Sequence, residues 1–136
     1  MKRAEYGDII YTKHSLYRHY GIYINENCVI HYDGKVDDML LREMCIRKTT
    51  MDRFLAGKSE YYIDKGNSKF SNDEVVKRAM KKLGEEKFNL IFNNCEHFAM
   101  WCKKDYKISK QVDLLLLLFI AVNTYFKKWN NSIYCL

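Results

Sequence analysis

Residues 18–32 read RHYGIYINENCVIHY. Short β-branched and aromatic runs flank Asn25-Glu26-Asn27, a cluster of turn formers, so the stretch reads as a hairpin with strands at residues 20–24 and 28–32. Such a hairpin sets His19 and His31, each on or beside a strand, next to one another. Asp33-Gly34 marks the following turn. Residues 8–13, 43–48 and 60–64 are further strand candidates, with a helical turn between the last two that stops at Gly57. The first half of the chain therefore supplies most of a five-stranded sheet.

The second half carries helix signals. Ser71-x-x-Glu74 is a capping-box pattern, Val75, Val76, Ala79, Met80 and Leu83 share one face, and Gly84 supplies a stop, which predicts a helix over residues 71–84. A second helix opens near Asn93-Asn94, because Cys95, Phe98, Ala99 and Cys102 repeat at helical spacing. Sheet first and helices after is an α+β arrangement.

A chain of 136 residues and 16.3 kDa suits one domain. Its 48% hydrophobic and 15% aromatic content excludes a disordered or fibrous chain. The net charge of +6 suits an anionic surface such as acidic lipid or nucleic acid. No Lys/Arg run interleaved with stacking aromatics is present, so no nucleic-acid partner is expected. Cysteines at 28, 45, 95, 102 and 135 make no C-x-x-C pair and no zinc-ligand spacing, and MKRAEYGDII is not a secretory signal. A reducing, cytoplasmic setting is expected, with neither metal nor cofactor.

Chemistry concentrates on three residues. Cys95, in NNCEHF, stands at a predicted helix start, where the helix dipole and backbone N–H groups stabilise a thiolate and lower its pKa. A Cys–His pair held by a third polar group activates a thiol for acyl transfer, and His19 and His31 are placed to supply it. Burial habits alone make a cysteine on an apolar helix stripe a core residue, and Cys102 keeps that reading. His14 reads as an ordinary strand histidine. His97 lies two positions after Cys95, about 200° around the helix, and is expected to cap or pack.

The segments YRHYGIYI (17–24), VIHY (29–32) and VVKRAMKKLGEEKFNLIFNNCEHF (75–98) resemble the lecithin:retinol acyltransferase family and its relatives, the HRAS-like suppressor phospholipases and acyltransferases. The likeness runs from Gly7-Asp8-Ile9-Ile10 to about Lys110. It implies a permuted papain-like fold of the NlpC type, an antiparallel sheet packed on helices with the nucleophile at a helix start. Carried over by residue, Cys95 matches the nucleophile, His19 the general base and His31 the orienting third member. Arg18 matches a position that polarises the ester or holds a phosphate. Tyr20 stands where many phospholipase relatives have tryptophan, and both residues are expected to bind substrate. The interval from His31 to Cys95 is shorter than in the retinol-esterifying members.

The implied reaction is acyl transfer from a glycerophospholipid through a Cys95 thioester, with the Cys95 N–H as oxyanion donor. Water as acceptor gives a phospholipase A1/A2 outcome, and an amine or hydroxyl gives an acyltransferase. The alternatives are a cysteine peptidase or amidase of the same fold, or a catalytically inactive membrane-associated binding protein.

Residues 114–122, LLLLLFIAV, form an unbroken apolar run, and even the stretch 112–126 reaches only about 22 Å against a hydrocarbon core of roughly 30 Å. The chain is accordingly read as a catalytic domain over 1–111 and a hydrophobic C-terminal helix over 112–136. That helix is either a membrane anchor, flanked by Lys103, Lys104, Lys107, Lys110, Lys127 and Lys128, or a terminal core helix. The anchor reading makes a phospholipid membrane the partner surface and the protein cytoplasmic and membrane-associated. Cys135 is one residue from the end and forms no prenylation box.

Overall fold

The computed structural model describes residues 3–34, 44–87, 94–105 and 109–133. In chain order the elements are β1 (Ile9–Lys13), β2 (Arg18–Asn25), β3 (Cys28–Asp33), β4 (Cys45–Thr49), α1 (Met51–Leu55), β5 (Tyr62–Ile63), α2 (Asn72–Lys81), α3 (Cys95–Lys104) and α4 (Lys110–Ile133). The five strands form one antiparallel sheet in the order β4-β3-β2-β1-β5. This is the expected α+β class. The fifth strand is shorter than residues 60–64 suggested, and Glu43, the expected start of the fourth, lies outside the described residues.

Strand β2 is central and pairs on both edges, with Tyr20 opposite Tyr11 and Gly21 opposite His31. Its hairpin turn is closed by Asn25, whose side-chain oxygen accepts the Asn27 N–H at 2.9 Å. Alternation along the strand then sorts side chains to two faces. Tyr20 and Ile22 join Ile30, Tyr32 and Ile46 against Val75, Val76 and Ala79 of α2 and Phe98, Ala99 and Cys102 of α3. On the opposite face Ile10, Tyr23 and Val29 pack around Phe54 of α1. A Cβ at Gly21 would lie 2.7 Å from Val29 Cγ1 and 2.8 Å from Phe54 Cε2. Glycine there lets Phe54 press against the strand.

Ser71 caps α2 by accepting the Glu74 N–H. Val75, Val76 and Ala79 are buried as the stripe predicts, but the helix ends at Lys81, so Leu83 leaves the helical register and is 39% exposed.

Helix α4 covers the leucine run with 24 residues, about 36 Å of helix. Leu114 to Leu118, Phe119, Ile120 and Val122 are all 48–67% exposed, which contradicts the terminal core helix. No helix of the described residues is long and apolar enough to cross a membrane, because Lys110, Asp113, Asn123 and Thr124 interrupt the apolar character of α4. Lys107 and Cys135 lie outside the described residues.

Exposure of this run predicts its energetic silence in water. Replacing Leu115, Leu117 and Phe119 together by serine is expected to change the unfolding free energy by no more than about 0.5 kcal/mol per site in a urea titration. A loss of several kcal/mol would mean that the run is buried against the domain.

Candidate active site

Because Gly21 and His31 face each other across the hairpin, His19, two residues along β2 on the same face, is the diagonal neighbour of His31. His19 Nε2 and His31 Nδ1 are 2.9 Å apart, with the rings edge to face at 81°. Both rings lie 5.2 Å from the Phe54 ring. His31 is buried, with Nε2 2.7 Å from Thr49 Oγ1 on β4 and Nδ1 2.9 Å from the Tyr32 carbonyl oxygen.

These contacts accommodate two proton placements. A carbonyl oxygen only accepts, so the Tyr32 contact favours a proton on His31 Nδ1, with the Thr49 hydroxyl donating to Nε2. In the other placement His19 Nε2–H donates to His31 Nδ1 and His31 Nε2–H donates to Thr49 Oγ1. The Thr49 hydroxyl then donates to the Thr50 carbonyl at 3.2 Å. The second placement leaves the remaining ring nitrogen of His19 without a proton.

Burial disfavours the charged form of each ring. It lowers His19 to about 3, helped by the adjacent His31, and His31 to about 4 against the upward pull of Asp33 and the Tyr32 carbonyl. Both are neutral at pH 7. Asp33, itself buried, is gripped by Arg53 Nε at 2.9 and 3.0 Å, with Arg47 at 3.8 Å.

Cys95 is the first residue of α3, as the sequence predicts. Asn94 caps the helix by accepting the Glu96 and His97 N–H groups at 3.0 and 3.1 Å, while His97 Nδ1 accepts the Asn94 N–H at 3.2 Å. His97 is thus a capping residue. The Cys95 thiol donates to the Arg18 carbonyl at 3.6 Å and is reached by the Tyr20, Glu96 and Cys95 N–H groups. The expected lowering of its pKa does not occur. Burial pushes the thiol up to about 11, aided by the Glu96 carboxyl, and outweighs the N–H groups of the helix start. The sulfur is therefore a thiol at neutral pH and needs a base to react.

The structure joins His19 to His31 and sets Cys95 against the β2 backbone on either side of His19, at Arg18 and Tyr20. Among the described residues no hydrogen bond links Cys95 Sγ to a histidine ring. Arg18 holds its guanidinium 4.8 Å over the Tyr11 ring and bonds the Tyr20 hydroxyl. Tyr20 is buried and pushed up to about 12 by that burial. His14 stays peripheral, bonded to Thr12 at 3.2 Å and stacked on Tyr17. Cys102 is a fully buried core residue. No group of three potential metal ligands occurs among the described residues.

Sequence reasoning passed over Asp33, Thr49, Glu96, Ser109 and Gln111. Glu96 is 3% exposed and accepts from Ser109 Oγ at 2.6 Å, Gln111 Nε2 at 3.0 Å and Gln111 N at 3.3 Å. An acidic residue in the first turn of an apolar-striped helix signals only a favourable dipole interaction, so nothing in the sequence pointed to these partners.

An α+β domain with a cysteine at a helix start and a histidine pair on the adjoining strands defines a class of thiol-bearing domains. Residues 2–108 match the family model described as lecithin retinol acyltransferase, and the chain belongs to that family. It is 30% identical over 132 aligned positions to the lecithin retinol acyltransferase of Homo sapiens, an alignment covering 79% of this chain and 57% of that protein. The Mus musculus protein of the same name matches to the same extent. Phospholipase A and acyltransferase 3 of Mus musculus is 29% identical over 107 positions, with 68% of this chain and 66% of that protein covered. The chain thus matches 57% of the length of the lecithin retinol acyltransferases.

The neutral rings make stability depend on pH. Both histidines have folded pKa values below the ordinary 6.5, so the unfolded chain binds more protons than the native state as the pH falls. The stability gained from keeping them neutral is full above about 6.5 and drains away as pH falls toward about 4 and 3. Urea midpoints at pH 7, 5.5 and 4.5 should decline in that order, and His31→Gln should flatten the decline. An unchanged slope in His31→Gln would assign the acid sensitivity to other groups.

Proposed function

We propose that this chain transfers an acyl group from a glycerophospholipid through a thioester on Cys95. The observation that carries the reading is the His19–His31 pair at 2.9 Å, beside the strand backbone that receives the Cys95 thiol. With His19 Nε2–H donating to His31 Nδ1, the Nδ1 lone pair of His19 is available to take the thiol proton. In that placement Thr49 Oγ1 accepts the His31 Nε2–H, against the preference set by the Tyr32 carbonyl, and the Asp33 carboxylate favours the imidazolium that forms. In the resting arrangement the thiol donates to Arg18 instead. Contacts of the catalytic kind are often long in unliganded sites and tighten when substrate binds.

The thiolate attacks the ester carbonyl carbon, and the Cys95 N–H, which lies against the sulfur, donates to the developing oxyanion. Collapse expels the lysophospholipid alkoxide, which takes the proton from His19, and water or an amine or hydroxyl acceptor then cleaves the thioester. Arg18, exposed beside Tyr11 and Tyr20, suits the lipid phosphate. The names of the relatives, an acyltransferase of lecithin and retinol and a phospholipase A and acyltransferase, support a lipid ester as acyl donor. In this reading residues 1–111 are the catalytic domain with the permuted papain-like arrangement, and residues 112–136 face lipid through the exposed leucines of α4.

Turnover of a short-chain monomeric phosphatidylcholine tests the assignment. Cys95→Ala should abolish hydrolysis, and His19→Ala should slow it by about 10²–10⁴. His31→Gln, which still bonds an imidazole, should retain more activity than His31→Ala. Wild-type hydrolysis by Cys95→Ala would overturn the reading, and cleavage of peptides but not lipid would transfer the same machinery to an amidase.

A further inference from the structure

We propose that Gln111, in the first turn of α4, is a positioning residue that holds the β2 segment around His19 in register with Cys95. The inference rests on the thiol assignment above. One carboxamide spans both main-chain polar groups of Arg18: Gln111 Oε1 accepts the Arg18 N–H at 2.5 Å, and Nε2 is 3.4 Å from the Arg18 carbonyl oxygen. That carbonyl is the one to which Cys95 Sγ donates. The same Nε2 donates to Glu96 Oε2 at 3.0 Å, and Glu96 is the next residue after Cys95. A closed loop of contacts therefore runs from Cys95 through Glu96 and Gln111 to Arg18 and back to the sulfur.

Burial gives this loop its stiffness. Glu96 and Ser109 are 3% and 1% exposed. The Glu96 carboxyl sits where two helix starts meet, because it belongs to the first turn of α3 and also accepts the Gln111 N–H of α4 at 3.3 Å. Ser109 donates to Glu96 at 2.6 Å while its oxygen accepts the Val112 N–H at 3.3 Å, so the residue capping α4 is itself tied to α3. Arg18 is the last residue of β2 to pair with β1, opposite Lys13. On the opposite edge the β2–β3 ladder has already ended at Gly21 and His31, so the Arg18 main chain has no strand partner there and Gln111 supplies one from 93 residues away. Helix α4, whose outer part is the exposed leucine run, is thereby coupled to the nucleophile's own hydrogen-bond acceptor.

The full-length chain tests this with Gln111→Ala and with Gln111→Glu, which keeps an acceptor for Arg18 N–H but has no donor for Arg18 O or Glu96. Two readouts separate the clamp from the reaction. With short-chain phosphatidylcholine, kcat should fall about 10- to 100-fold, the scale of a small misplacement of reacting groups, while KM stays within twofold. With iodoacetamide, which needs no lipid activity, Cys95 should be alkylated at least threefold faster, since the sulfur loses its fixed acceptor. Unchanged kcat and unchanged alkylation overturn the proposal, as does a rise in KM alone, which would make Gln111 a substrate contact. If the wild-type chain hydrolyses no lipid, the reaction assignment fails and the alkylation rates alone decide the clamp. Should Gln111→Ala melt below the assay temperature, Gln111→Glu carries both readouts.

Discussion

His19 and His31 touch because β2 and β3 pair with Gly21 opposite His31, and every other feature of the site is arranged around that register. A slip of β2 by one residue would turn His19 to the α2 and α3 face, away from His31, and bury Tyr20 and Ile22 on the wrong side. Two independent packings hold the register. Phe54 presses on the bare backbone of Gly21 from one face, and the Ile22, Ile30 and Phe98 cluster closes on the other. The hairpin is thus fixed by apolar burial, and the polar pair occupies the position that burial leaves for it.

The same burial sets the chemistry. A helix start is expected to draw a thiol toward its anion, yet here the desolvation of the Cys95 sulfur outweighs three neighbouring N–H groups, and the two rings are held neutral for the same reason. Thiol and imidazole are therefore both uncharged before reaction. Forming an ion pair in this setting is costly, so in the proposed reaction proton transfer to His19 would accompany attack on the ester, with the oxyanion and Asp33 stabilising the imidazolium. The Glu96 carboxyl, one residue away, disfavours a standing thiolate further and anchors α4 instead.

Much of this was legible in the sequence, for local reasons. Asn25-Glu26-Asn27 announces the hairpin, Ser71 and Glu74 announce α2, and Asn94 announces the start of α3, because turn and cap chemistry depends on residues a few positions apart. Positioning of Cys95 at that start followed. The thiol's raised pKa did not follow, since burial by Tyr20 and the strand backbone is a tertiary effect invisible to helix logic. Thr49, Asp33, Ser109 and Gln111 were missed for the same reason: each acts through partners far away in sequence, and a lone glutamine ahead of a leucine run carries no pattern. Leu83 was misplaced because a stripe says which face is apolar and not where the helix stops.

The proposed acyl transfer passes through a covalent bond to Cys95. Full-length protein is to be mixed with a phosphatidylcholine bearing one kind of acyl chain, quenched in acid within the first turnovers and mapped by peptide mass. A hydroxylamine-labile mass increase equal to that acyl group on the Cys95 peptide is the predicted result. Lipid consumption with Cys95 unmodified and no adduct on its peptide would contradict it.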